Sequence, residues 1–151
     1  MFRGLSAINL DAKGRMAWPS RYRESLLKQA APQVVVTIDT ESQCLLLYPF
    51  AEWEEIEAKI QALPSFNPQA RRIQRLLIGH ATECELDAAG RILLPQVLRD
   101  YALLEKRVML VGQGKKFELW SESGWAAGRE GWLAESASAE TLPDELQTLS
   151  L

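Results

Sequence analysis

An α+β protein built from two tandem copies of one small unit is predicted by three observations. A motif is duplicated, the same order of strand and helix patterns follows each copy, and the composition is that of an ordinary globular chain. The stretch Leu10 to Arg23, LDAKGRMAWPSRYR, aligns without gaps to Leu86 to Arg99, LDAAGRILLPQVLR, at an offset of 76, with seven of 14 positions identical. The echo continues with small shifts: Val34-Val35-Val36 recurs as Val108-Met109-Leu110, Leu47-Tyr48 as Leu119-Trp120, and Trp53 as Trp125. Self-similarity of this kind marks a repeated supersecondary unit. With 151 residues, 47% hydrophobic and 25% charged, the chain is long enough for one full core or two small fused ones.

In the first unit, residues 5 to 10 and 15 to 18 read as short strands around the turn Asp11-Ala12-Lys13-Gly14. Gly14 supplies the positive φ that such a turn needs. Pro19 opens a helix, because its missing N–H is one of the unsatisfied donors at a helix start. Tyr22, Leu26, Leu27 and Ala30 follow at helical spacing. VVVTID and CLLLYP, separated by Thr-Glu-Ser-Gln, read as a buried strand pair. A helix is predicted over 51–63, with Trp53, Ile56, Ile60 and Leu63 as its apolar stripe.

Pro64 ends that helix, and PSFNPQ reads as the junction between units. The helical ARRIQRLLIGH leads into the second unit, where RILLP, a helix from Pro95, RVMLVG and KFELW repeat the order. Gly112-Gln113-Gly114 reads as a turn. The units are assigned to residues 1–67 and 68–134. Residues 135–151, rich in Ser, Ala, Thr and acids, are expected to form a loosely held tail.

Chemistry of several classes is disfavoured. Cys44 and Cys84 form no CxxC pair and His80 is the one histidine, so no familiar zinc pattern assembles and no metal or other cofactor is expected. Two thiols in apolar runs suit reduced, buried residues of a cytoplasmic protein. No apolar run approaches the ~18 residues of a membrane span. His80 has no nucleophile or paired acid near it in sequence, so an enzyme is not expected. The tryptophans, Trp18, Trp53, Trp120, Trp125 and Trp132, read as core or subunit contacts before a stacking platform, and no small-molecule ligand is expected. The run Glu52, Glu54, Glu55 and Glu57 reads as a solvated helix face. Arg71, Arg72 and Arg75 share a helical side; they suit an acidic face on a neighbouring subunit or an addition to a DNA surface.

The net charge is −3, but residues 1–32 hold six basic side chains against two acids. The duplicated Asp-x-x-Gly-Arg, at Asp11 to Arg15 and Asp87 to Arg91, is the feature that can carry binding chemistry. A glycine turn allows close backbone approach to a phosphate, Asp can lock the turn, and Arg can fork onto guanine O6 and N7. Arg15 is assigned to base edges, Lys13 and Arg3 to phosphate, Gly14 to close approach, and Asp11 to turn shape. The plainer alternative is a stable hairpin whose Asp and Arg only pair with each other. A module that binds a protein partner through an acidic tail is a rival from another class.

At these residues the chain resembles the MraZ family: Met1-Phe2-Arg3-Gly4, Asp11-Ala12-Lys13-Gly14-Arg15 and Pro19 to Arg23 in the first unit. Asp87-Ala88-Ala89-Gly90-Arg91, Pro95, Val111-Gly112-Gln113-Gly114 and Lys116-Phe117-Glu118-Leu119-Trp120 carry the likeness in the second. The resemblance implies two AbrB/SpoVT-like repeats with swapped β-hairpins forming a barrel with flanking helices, pseudo-two-fold within one chain. It implies a bacterial, cytoplasmic, nucleoid-associated regulator that binds double-stranded DNA at direct repeats in the promoter of the division and cell-wall operon and represses it. It implies a ring-like homo-oligomer, and DNA-reading loops at Lys13, Gly14 and Arg15 and at Gly90 and Arg91, with Asp87 shaping the second turn as Asp11 shapes the first. Ala89, standing where the first copy has Lys13, leaves the second loop less basic.

Overall fold

The computed structural model describes residues 1–29, 32–135 and 143–149. Two antiparallel sheets carry the fold. Their strands are β1 (Phe2–Asn9), β2 (Arg15–Ala17), β3 (Gln33–Ile38), β4 (Leu45–Pro49), β5 (Thr82–Glu85), β6 (Arg91–Leu93), β7 (Arg107–Gly114) and β8 (Phe117–Ser121). The helices are α1 (Ser20–Leu27), α2 (Phe50–Gln61), α3 (Pro68–Ile73), α4 (Gln96–Tyr101), α5 (Glu122–Ala134) and α6 (Asp144–Gln147). The mixed α+β class and its two repeats stand as the sequence predicts. Most of the expected loose tail lies outside the described residues, and the segment 143–149 holds the short α6.

The large sheet has six strands in the order β1-β7-β8-β4-β3-β5, and β2 and β6 form a second sheet. Under the repeat, β1 matches β5, β3 matches β7 and β4 matches β8, so the order reads the same from either edge. Each unit's first strand pairs with the third strand of the other: Ile8 faces Val108 and Cys84 faces Val34. β4 meets β8 with Leu46 opposite Glu118, and β2 meets β6 with Met16 opposite Ile92. Those two pairings lie on a pseudo-two-fold axis. The strands flanking the Asp11 turn, predicted as neighbours, therefore do not pair with each other; both find their partners in the other unit.

β3 and β4 read as continuous apolar runs because they are covered on both faces. Val34, Val36, Ile38, Leu45 and Leu47 point to the principal core with Met16, Trp18, Ile92, Leu94, Phe117 and Leu119. Val35, Leu46, Tyr48 and Trp53 form a second cluster under α2. Tyr48 and Trp53 have ring centroids 5.7 Å apart, and their counterparts Trp120 and Trp125 are 6.0 Å apart. The predicted equivalence of those pairs is thus repeated in packing. Trp132 joins the second pair at 5.4 Å from Trp120 and is half-exposed.

One local expectation is corrected and another refined. Gly112-Gln113-Gly114 belongs to β7, and the reversal falls at Lys115-Lys116. Gly112 is there because a Cβ would stand 2.6 Å from the backbone N of Arg3 on the adjacent strand. The helix after the junction starts at Asn67, whose side chain accepts from Gln69 N–H and Ala70 N–H, and widens into a π-helical turn over Gln74–Ile78. Buried Thr37 donates to the carbonyl of Leu77 at 2.6 Å, so this turn faces β3 with a carbonyl engaged outside the helix.

Candidate functional site

The two Asp-x-x-Gly-Arg loops have the same internal wiring. In the first, Asp11 Oδ1 accepts from Lys13 N–H at 3.0 Å and Arg15 N–H at 2.9 Å, while Arg15 Nε donates to Oδ2 at 2.6 Å. In the second, Asp87 Oδ1 accepts from Ala89 N–H and Arg91 N–H, both at 2.9 Å, and Arg91 Nε donates to Oδ2 at 3.0 Å. Gly14 N–H and Gly90 N–H close the turns onto the carbonyls of Asp11 and Asp87 at 3.0 and 2.9 Å. Asp is needed at the first position because one short carboxylate satisfies two backbone N–H groups and one guanidinium at once.

These bonds stabilise the charged form. The backbone N–H of Arg15, helped by its guanidinium and Lys13 N–H, holds the Asp11 carboxyl at about 2, below its ordinary 3.8. Asp87 is lowered for the same reason, with the Arg91 N–H as the largest cause.

The Asp–Arg pairing that the plainer reading anticipates is therefore present, but it engages only Nε of Arg15. Among the described residues, the terminal nitrogens of Arg15 have no hydrogen-bond partner. Arg91 uses Nε in the same way and sends a terminal nitrogen to 3.9 Å from Asp11 Oδ2, so the two loops lie side by side. Lys13 is exposed at the tip of the first loop.

Both glycines have positive φ, +86° at Gly14 and +74° at Gly90, which favours glycine. The close approach they permit is taken by arginine. A Cβ on Gly14 would lie 2.5 Å from Arg99 Cζ, and one on Gly90 would lie 2.5 Å from Arg23 Cζ. Gly14 and Gly90 are buried by these side chains rather than presented to a phosphate. Arg23 and Arg99 were missed as site residues in the sequence. The available signal was their position as the last identical pair of the duplicated stretch.

Arg3 is not brought to this cluster. It stands near the start of β1, opposite Gln113, whereas the loop follows the other end of the strand. Six residue steps at ~3.3 Å each separate Arg3 from Asn9 by roughly 20 Å. Arg3 and Lys13, both assigned to phosphate, are thus set apart by the strand's extension.

A second group of polar side chains lies elsewhere. Asp39, Cys44 and Glu118 have donor atoms within 4.8 Å of one another, a set that spacing does not reveal because both units contribute. Burial pushes the Cys44 thiol well above its ordinary range, and the thiol donates to Asp39 at 3.5 Å. Glu118 accepts the indole N–H of Trp120 at 3.0 Å. Within the trio one hydrogen bond joins Cys44 to Asp39, while Glu118 is engaged by Trp120. His80 Nδ1 sits 2.7 Å from the Leu76 carbonyl. Arg71, Arg72 and Arg75 are exposed.

The family model described as "MraZ protein, putative antitoxin-like" matches the chain twice, over residues 1–76 and 77–144. The chain belongs to the MraZ family. Curated relatives named "Transcriptional regulator MraZ" include one from Coxiella burnetii, 61% identical, and one from Legionella pneumophila, 59% identical. A third, from Halorhodospira halophila, is 57% identical, and all three alignments cover 100% of both chains. Each MraZ match supplies one edge strand and two inner strands of the palindromic sheet, and each contains one Asp-x-x-Gly-Arg loop. No helix among the described residues is long and apolar enough to cross a membrane.

Proposed function

We propose that this chain is a non-catalytic, sequence-specific DNA-binding transcription regulator that reads DNA with the paired Asp-x-x-Gly-Arg loops. The observation that carries the reading is the geometry of Arg15: its Nε is fixed by Asp11 while its terminal nitrogens have no partner among the described residues, and the side chain is 33% exposed beside the tip residue Lys13. A guanidinium held at one edge loses less freedom when its remaining donors meet a base. Lys13 contacts phosphate, and Arg91 and Gly90 supply a second, less basic loop beside the first. Asp11 and Asp87 shape the turns, and Gly14 and Gly90 seat the arginines beneath them. The naming of the relatives as transcriptional regulators supports the same class.

The finer reading extends to the target and the assembly. The chain binds direct repeats in the promoter of the division and cell-wall operon, represses it, and works in the cytoplasm at the nucleoid. The interleaved strands are consistent with swapped hairpins of the AbrB/SpoVT kind. One small loop making a few phosphate contacts binds only at ~10⁻⁴ to 10⁻⁶ M. Several copies engaged on one DNA add roughly 10² to 10⁴. A ring-like homo-oligomer presenting the tip repeatedly in one direction suits direct repeats, and explains how an acidic chain holds DNA.

The test is a salt series of binding to the protein's own upstream DNA and to a scrambled duplex. Arg15→Ala should lose about 1–3 kcal/mol per engaged loop and the preference for its own DNA, whereas Lys13→Ala should mainly flatten the salt dependence. Equal losses on both duplexes for Arg15→Ala would refute these roles. Absence of binding to either duplex at low salt would refute the DNA reading and favour a protein partner held by the tail, which deletion of residues 135–151 tests.

A further inference from the structure

We propose that Arg99 and Arg23 are positioning residues, each setting the shape of the loop carried by the opposite half of the chain. The first loop hands the carbonyl of Gly14 to Leu94 N–H at 3.0 Å, and Arg99 Nε donates to the carbonyl of the same Leu94 at 3.0 Å. The Arg99 guanidinium then lies against the open face of Gly14, closing a clamp made from the first loop, the residue after β6, and α4. The second loop repeats this with the units exchanged. Trp18 N–H donates to the Gly90 carbonyl at 3.0 Å, the Trp18 carbonyl accepts a terminal nitrogen of Arg23 at 3.0 Å, and Arg23 covers Gly90.

Neither loop is therefore complete within its own half. The left-handed backbone at each glycine is covered from outside by a side chain that the other unit provides. The salt link between Arg91 and Asp11 adds a direct tie between the tips. Its consequence for DNA rests on the reading given above, that the loops meet DNA.

The experiment measures amide hydrogen exchange by NMR on the full chain, without DNA, in wild type, Arg99→Ala and Arg23→Ala. Arg99→Ala should raise exchange at Lys13 and Arg15 about 10-fold while Ala89 and Arg91 stay near wild type, the size expected from losing one hydrogen bond and its packing. Arg23→Ala should do the reverse. A uniform rise across the molecule, or a rise confined to the mutated residue's own half, overturns the proposal. Arg99→Lys keeps the aliphatic stem but lacks the flat Nε–H donor, and should give the same crossed pattern at smaller amplitude; it carries the test if Arg99→Ala does not fold.

A merely structural role would leave DNA discrimination untouched in any variant that keeps its unfolding midpoint. Here Arg99→Ala should lower the preference for the protein's own duplex over a scrambled one about 10-fold. The crossed exchange pattern with unchanged DNA binding supports the positioning role and refutes the DNA role of the loops. Lost discrimination without the crossed pattern overturns the positioning role.

Discussion

Arg99, from the second half of the chain, covers Gly14 in the first so closely that its Cζ stands 2.5 Å from where a Cβ would be. The pair couples a backbone conformation to a remote side chain, and the coupling can be measured. Gly14→Ala should destabilise the fold by about 1–2 kcal/mol from the positive φ alone, with a further loss from expelling the guanidinium. In the Arg99→Ala background only the φ penalty should remain. Urea unfolding of the four proteins of this cycle gives the difference, and strict additivity would contradict the contact.

Gly112 and Gly79 give predictions of opposite sign. The obstacle to a Cβ at Gly112 is the backbone of Arg3 in a paired strand, which cannot swing aside. Gly112→Ala should cost about 1–3 kcal/mol. Gly79 has helical φ and nothing within 4 Å of a Cβ, so Gly79→Ala should stabilise by about 0.4–1 kcal/mol through the unfolded chain. Thermal unfolding of both variants checks the pair.

Asp11 supplies a pH prediction. Its folded value of about 2 lies below the ordinary 3.8, so its contribution to stability is complete above 3.8 and is lost as pH falls toward 2. An NMR titration of the Asp11 carboxyl should show a midpoint near 2. In Arg15→Ala the midpoint should rise, though not fully, because the largest cause is a backbone N–H that the substitution retains. A wild-type midpoint at 3.8 or above would contradict the loop geometry.

Phe117 tests whether the two halves share one core. It packs on Phe2, Trp18 and Tyr22, all from the first unit, at centroid distances of 4.3, 4.9 and 5.0 Å. Phe117→Ala should cost about 3–5 kcal/mol. Calorimetry should show one transition shifted as a whole. Two separated transitions would mean that the units fold independently.

The sequence disclosed whatever depends on local chemistry or on self-similarity. Identity between Asp11–Arg15 and Asp87–Arg91 announced the loops, and the apolar runs of β3 and β4 announced strands covered on both faces. Pairing was less accessible. Leu5 to Leu10 and Arg15 to Trp18 look like the arms of a hairpin, because a turn motif lies between them, yet each satisfies its backbone with the other unit. Arg3 and Lys13 share the basic amino-terminal stretch, but proximity along the chain is not proximity in space when an extended strand lies between. Gly112 resembled a turn glycine, since a pattern of glycines does not reveal whether a positive φ or a neighbouring backbone requires them. The trio Asp39, Cys44 and Glu118 had no spacing to betray it, because its members are joined only across the sheet.

The sheet order also decides when the molecule can fold. β1 borders only β7, whose first residue, Arg107, pairs with Asn9. A chain leaving the ribosome thus exposes its first strand, without its partner, until residues 107–114 have followed it. At about 5–20 residues per second, that interval lasts several seconds. Throughout it the edge of β1 is open to pairing with another chain. The large sheet can therefore close only once both repeats have been made, and stalling translation between them should lower the yield of native protein.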